Sequence, residues 1–114
     1  MVSDTQVYRV GNSTSVTLQV SYGDGQPGGT STVWNGGIVD VPPGQAVTFH
    51  RGGAPLGGTI LFCKSNVLDE SRDTNRTSVT YHLSGGEAYQ DFPYAQTVPN
   101  QGDLAEYAVN FVFV

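Results

Sequence analysis

The sequence predicts an all-β fold: an antiparallel two-sheet β-sandwich of seven or eight strands, in a single domain spanning residues 1–114. Three observations predict it. Short runs rich in Val, Thr, Phe and Tyr alternate apolar with polar residues, clusters of Gly and Pro separate them at regular spacing, and no ten-residue segment carries a helical stripe. A small barrel is the alternative arrangement of such strands.

Val7 to Val10 forms a first short strand, and Gly11-Asn12 reverses the chain because both residues tolerate positive φ. Val16, Leu18 and Val20 alternate with Thr17 and Gln19, one face apolar and one polar. Tyr22 to Gly29 is too rich in Gly, Asp and Pro for regular structure and reads as a loop. Thr30 to Trp34 runs into Asn35-Gly36, a strong hairpin signal, and returns through Ile38, Val39 and Val41. Pro42 to Gln45 turns the chain into Val47 and Phe49, which alternate with Thr48 and His50. Beyond the glycine-rich tip at Gly52 to Gly58, Ile60 to Cys63 forms the next strand.

Lys64 to Arg76 is polar and irregular, with room for one helical turn, and Val79, Tyr81 and Leu83 then alternate with Ser78, Thr80 and His82. Ser84 to Gly102 is a second long irregular region. The last strand, Ala105 to Val114, is apolar on both faces at its end. It should lie centrally with both faces covered, or else present its outer face to another subunit.

Composition narrows the function. The net charge is −5, and only 13 % of residues are charged against a usual figure of about a quarter. The only lysine is Lys64 and the four arginines do not form a basic surface, which argues against nucleic acid and anionic membranes as partners. Cys63 is the only cysteine, which excludes an intrachain disulfide. On a strand it reads as a small buried hydrophobe, with Lys64 on the opposite face. The sequence shows no signal peptide and no stretch of about 18 apolar residues, so it predicts a soluble chain of unassigned compartment. Asn12-Ser13-Thr14 and Asn75-Arg76-Thr77 match the glycosylation acceptor pattern, which matters only in a secretory route.

Catalytic patterns are sparse. Gly-x-Ser-x-Gly is absent, and Ser84, His82 and Asp91 are the nearest approach to a hydrolase set. Both histidines, His50 and His82, fall on the polar phase of their strands and read as solvated residues. The run from Val39 to His50 resembles the strand leading to the first histidine of blue-copper proteins, but no His follows Cys63 and the only methionine is Met1, so copper is not expected. Asp69, Asp73 and Asn75 repeat oxygen ligands at every second residue and are candidate calcium ligands. An EF-hand is ruled out because Thr74 and Thr80 stand where Gly and Glu are required.

Loop composition is the better functional signal. Tyr22, Asp24, Trp34, Asn35, Tyr89, Asp91 and Tyr94 combine aromatic faces with short amide and carboxylate groups in or beside the longest loops. Sugars and other neutral polar ligands need that mixture, ring faces for C–H surfaces and Asp or Asn for hydroxyls. The leading expectation is a non-enzymatic, lectin-like domain that binds a glycan through loops at one end of the sandwich. A self-assembling structural subunit, a homo-oligomer, is the first alternative. The run Ile38 to Phe49, with Gly52, Gly53, Gly57 and Gly58, resembles the first half of aegerolysins, small acidic β-sandwiches that bind membrane lipids. That resemblance implies lipid binding as a further alternative; the family is rich in tryptophan whereas Trp34 is alone here, and no functional residue is carried over.

Overall fold

Alternation in the sequence becomes alternation of burial, and in the computed structural model, which describes all 114 residues, it extends over nine strands. They are β1 (Val2–Tyr8), β2 (Ser15–Gly23), β3 (Gly28–Trp34), β4 (Gly37–Val41), β5 (Ala46–His50), β6 (Ile60–Leu68), β7 (Arg76–Ser84), β8 (Gln90–Thr97) and β9 (Leu104–Phe113). One sheet has the order β1-β9-β6-β3-β4 and the other β5-β2-β7-β8. The two open sheets make a β-sandwich rather than a closed barrel. No helix is long and apolar enough to cross a membrane.

The pairing departs from the sequence expectation at the first strand. β1 starts at Val2 and lies parallel to β9, with Val2 opposite Tyr107 and Tyr8 opposite Phe113, so the sandwich is not wholly antiparallel. Its inward positions include Asp4 and Gln6, which break the apolar pattern by which the strand would be read. Inward polar residues suit an edge strand. Tyr94, on the edge strand β8 of the other sheet, donates its hydroxyl to Asp4 Oδ2 at 2.7 Å, and Gln6 Nε2 donates to the same oxygen at 2.9 Å.

The two irregular regions are shorter than expected. β6 continues to Leu68, leaving Asp69 to Asn75 as the loop and no helical turn in it. β8 lies inside the second region, where Pro93 argues against a strand; at the edge of a sheet a missing N–H costs no ladder bond. The hairpin at Asn35-Gly36 forms as expected, with φ of 49° and 80° at the two residues.

A single cluster of 22 buried residues fills the space between the sheets. Phe111 packs edge-on against Phe92 and Tyr81, with ring centroids 4.9 and 5.6 Å apart. Polar groups cross this core in pairs that satisfy one another. Tyr22 and Tyr81 from one sheet meet Thr30 and Ser65 from the other in a continuous hydroxyl chain, with 2.7 Å from Thr30 to Ser65 and 2.6 Å from Ser65 to Tyr81. Thr77 meets Tyr107 across the same gap at 2.6 Å. Leaving one such buried hydroxyl unpaired would cost about 1–3 kcal/mol. Cys63 is fully buried on the inner face of β6, and burial pushes its thiol well above the ordinary range, as expected of a core residue.

The Asp4 cluster generates a pH prediction. Hydrogen bonds from Tyr94, then from the Thr5 backbone, hold the Asp4 carboxyl below its usual value of 3.8, while burial, with Asp4 beside it, pushes the Tyr94 phenol up to about 12. A carboxylate with a lowered folded-state pKa contributes stability that is complete above about pH 4 and lost as pH falls through the lowered value. Tyr94→Phe should therefore melt below the parent protein at pH 7, with the difference narrowing below about pH 3 when followed by circular dichroism.

Candidate functional site

The residues expected to form one ligand site are dispersed. Only the 46 Å axis of the molecule can hold β9, whose ten residues span about 33 Å, so the strands run along it. Asp24 precedes β3 and Asn35 follows it, which puts them about 20 Å or more apart at opposite ends of the sandwich. Trp34 is 8 % exposed, packs against Phe49 and Phe113, and donates its indole N–H to the His50 carbonyl at 3.1 Å. Its ring belongs to the core, and its edge borders a small concavity with Asn35, Arg51 and Ile60. Tyr22 is turned inward and its ring lies over Gly28, where an added Cβ would stand 2.4 Å from ring carbons. Tyr94 is engaged with Asp4 and Tyr81. Asp24 sits in a tight turn with φ of 59° and pairs with Arg76 at 3.4 Å.

The proposed calcium ligands are not gathered either. Asp69 is fully buried, and its Oδ1 accepts from Gln26 Nε2 at 2.8 Å. The same amide donates to the carbonyls of Thr74 and Arg76, both at 3.2 Å. Gln26 Oε1 accepts the backbone N–H groups of Glu70 and Ser71, both at 2.8 Å. One buried side-chain amide thus organises the loop from both of its ends, the role the oxygen spacing had suggested for a cation. Asp73 is exposed, Asp69 Oδ2 has no partner, and no group of three or more His, Cys, Asp or Glu side chains is placed to hold a metal ion. The spacing was read on one segment, whereas the partner comes from the turn between β2 and β3, which spans only residues 24–27 where the sequence predicts a loop from Tyr22 to Gly29.

Two of the expected residues do come together, on the outer face of β2, β7 and β8. In the ladder, His82 lies between Gln19 on β2 and Asp91 on β8, while Ser21 pairs with Thr80. Period-two geometry then turns Gln19, Ser21, Thr80 and His82 to the same outer face, since Val20, Tyr81 and Leu83 are fully buried. His82 Nδ1 is 2.6 Å from Asp91 Oδ1 and 2.9 Å from the Tyr89 hydroxyl, and Nε2 is 2.8 Å from Ser21 Oγ. The Tyr89 ring lies beside the imidazole, its plane 23° away and its centroid at 6.3 Å, and remains 63 % exposed.

The electrostatics of this cluster follow from its contacts. Hydrogen bonds from Tyr89, then from His82, hold the Asp91 carboxyl below its usual value, and the bond to Asp91 raises the Tyr89 phenol. Asp91 is therefore ionised at neutral pH, a hydrogen-bond acceptor. Because Asp91 can only accept, Nδ1 of neutral His82 carries the proton and Nε2 offers its lone pair to Ser21. Sequence reasoning reached Tyr89 and Asp91 through loop composition and His82 through its strand phase. It missed Gln19 and Ser21, whose only signal was the polar phase of β2.

Other concavities are less suited to a ligand. A shallow cleft of about 550 Å³ between β3, β4 and β6 includes Ser31, Asp40, Lys64 and Asn66 in its wall, but has no aromatic side chain, and Ser31 is spent on Asp40 at 3.0 Å. No protein-family model, curated protein or solved structure matches the chain. The class the molecule itself defines is a two-sheet β-sandwich with a hydroxyl-rich outer face.

The Gln26 clamp is open to test. Gln26→Ala removes five hydrogen bonds and should lower stability by about 1–3 kcal/mol or more, since it strands a buried carboxylate. Faster amide exchange at Glu70 and Ser71 would report the loosened loop, and unchanged exchange there would contradict the clamp.

Proposed function

We propose that this chain is a saccharide-recognition domain whose binding surface is the outer face of β2, β7 and β8 rather than the loops at one end. The observation that supports this reading is the exposed Tyr89 ring, anchored through its hydroxyl to His82 beside the ionised Asp91. An aromatic face covers the C–H surface of a sugar, and the Asp91 carboxylate, the Thr80 hydroxyl and the Gln19 amide oxygen, whose Nε2 is bonded to the Gly44 carbonyl, meet its hydroxyls. The sheet holds Gln19, Thr80, His82 and Asp91 at low ordering cost, and Tyr89 immediately precedes β8. Hydroxyl, amide, imidazole and carboxylate groups make up this part of the face, with no lysine or arginine among them, which suits a neutral glycan.

A glycan array run with calcium and again with chelator tests the proposal. Binding should appear in both conditions and weaken about tenfold or more in Tyr89→Ala, a loss of at least about 1.4 kcal/mol. Tyr89 is exposed, so the variant keeps its core. Absence of binding to every glycan in both conditions would defeat the reading, and binding only with calcium would move the site elsewhere.

A second reading, self-association, has its own observation. On the outer face of the five-stranded sheet, Val7, Val112 and Ile60 form one cross-strand row, and Phe62, Val33 and Ile38 continue the next. Ile38 is 77 % exposed and nothing in the chain covers these rows. Five strands at about 4.8 Å and the two rows, about four residues at about 3.3 Å, give roughly 300 Å² per copy. Two copies face to face bury roughly 600 Å², below the size of a stable specific interface, so the association is a weak one. The occupant proposed is a second copy of this chain, in a weak dimer that directs its two polar faces away from each other. Sedimentation equilibrium should show dimer at the highest concentrations and monomer only for Ile38→Lys; a parent chain that stays monomeric throughout rejects it. Vesicle co-sedimentation lost in the same variant would instead favour the lipid-binding alternative.

A further inference from the structure

Ser21, His82 and Asp91 reach one another from three adjacent strands in an unbroken hydrogen-bond chain. We infer that Ser21 is an activated nucleophile and that this face transfers acyl groups from small esters. The inference stands on that chain alone and not on saccharide recognition.

The connectivity is that of an acyl-transfer triad, whose roles are recognised by geometry rather than by sequence order. Asp91 Oδ1, 2.6 Å from Nδ1, orients the imidazole and favours the tautomer protonated there. The Tyr89 hydroxyl, 2.9 Å from Nδ1, meets both the imidazole and the Asp91 carboxylate, so the pair is itself held. Nε2 then faces Ser21 Oγ at 2.8 Å, within reach for proton transfer. The expected serine was Ser84, two residues along β7 from His82; the fold supplies Ser21 instead, from the neighbouring strand and two pairs further along the ladder.

In the reaction, the Ser21 hydroxyl proton passes to His82 Nε2 as Oγ bonds the ester carbonyl carbon. The tetrahedral intermediate collapses, the bond to the alcohol oxygen breaks, and the imidazolium returns its proton to that oxygen. Water then attacks the acyl-serine by the same route, releasing a carboxylic acid and restoring Ser21. Thr80 stands directly across the ladder from Ser21 with its side chain on the same face, so its hydroxyl is a donor available to the oxyanion. Ser21 is exposed and no pocket wall surrounds it, which suits small activated esters rather than bulky or tightly bound substrates.

The test uses the intact chain with p-nitrophenyl acetate and, separately, with a fluorophosphonate label followed by peptide mapping. Hydrolysis above buffer and a single adduct on Ser21 are expected. Ser21→Ala should abolish both. His82→Ala should reduce the labelling rate about 100-fold or more, the usual contribution of a general base. Asp91→Asn should reduce it through the wrong tautomer. An adduct elsewhere, or labelling equally fast in His82→Ala, overturns the inference. Glycan binding without labelling removes this activity and leaves the recognition reading; labelling without glycan binding does the reverse.

Discussion

The buried hydroxyl chain from Tyr22 through Thr30 and Ser65 to Tyr81 is the constraint on which the other features depend. It begins and ends on the four-stranded sheet and passes through two residues of the five-stranded one. A hydroxyl in a closed core needs a partner, and these partners exist only when both sheets hold one relative position and each strand one register. A slip of one residue in β7 would carry Tyr81 to the surface and His82 into the core. The inward phase that satisfies Tyr81 is thus the same phase that puts His82 between Gln19 and Asp91.

With the inner faces committed, the outer faces are left to differ. The four-stranded sheet presents hydroxyls, an amide, an imidazole and a carboxylate, several already bonded to each other, and offers polar chemistry at a defined place. The five-stranded sheet presents aliphatic rows toward the Ile60 end and a polar region around Ser31, Asp40 and Lys64 toward the other. One outer face gathers hydrogen-bonding groups and the other carries exposed apolar side chains, and the two point in opposite directions.

Legibility followed the range of the interactions. The Asn35-Gly36 hairpin, the buried Cys63 and the inward phases of β2, β7 and β9 were readable because they depend on neighbours along the chain. β8 was not, because Pro93 is a strand breaker unless the strand lies at an edge, and edge position is a property of the sheet. The early start of β1 was hidden because Asp4 and Gln6 point inward, to a tyrosine 90 residues away in sequence for Asp4. Trp34 and Tyr22 were read as ligand-facing from their closeness to loops, yet both sit on strand ends whose inward phase draws the ring into the core.

By itself the sequence determined the all-β class, the apolar phase of most strands, the neutral-to-acidic chemistry and the absence of a disulfide within these 114 residues, all of which follow from composition and from the two-residue repeat of a strand. The tertiary structure alone decided which polar residues meet. Ser21, His82 and Asp91 lie 61 and 9 residues apart, and Gln26 reaches Asp69 over 43. Lateral strand order brings such groups within hydrogen-bond distance, and that order depends on long-range packing between sheets, which no local pattern encodes.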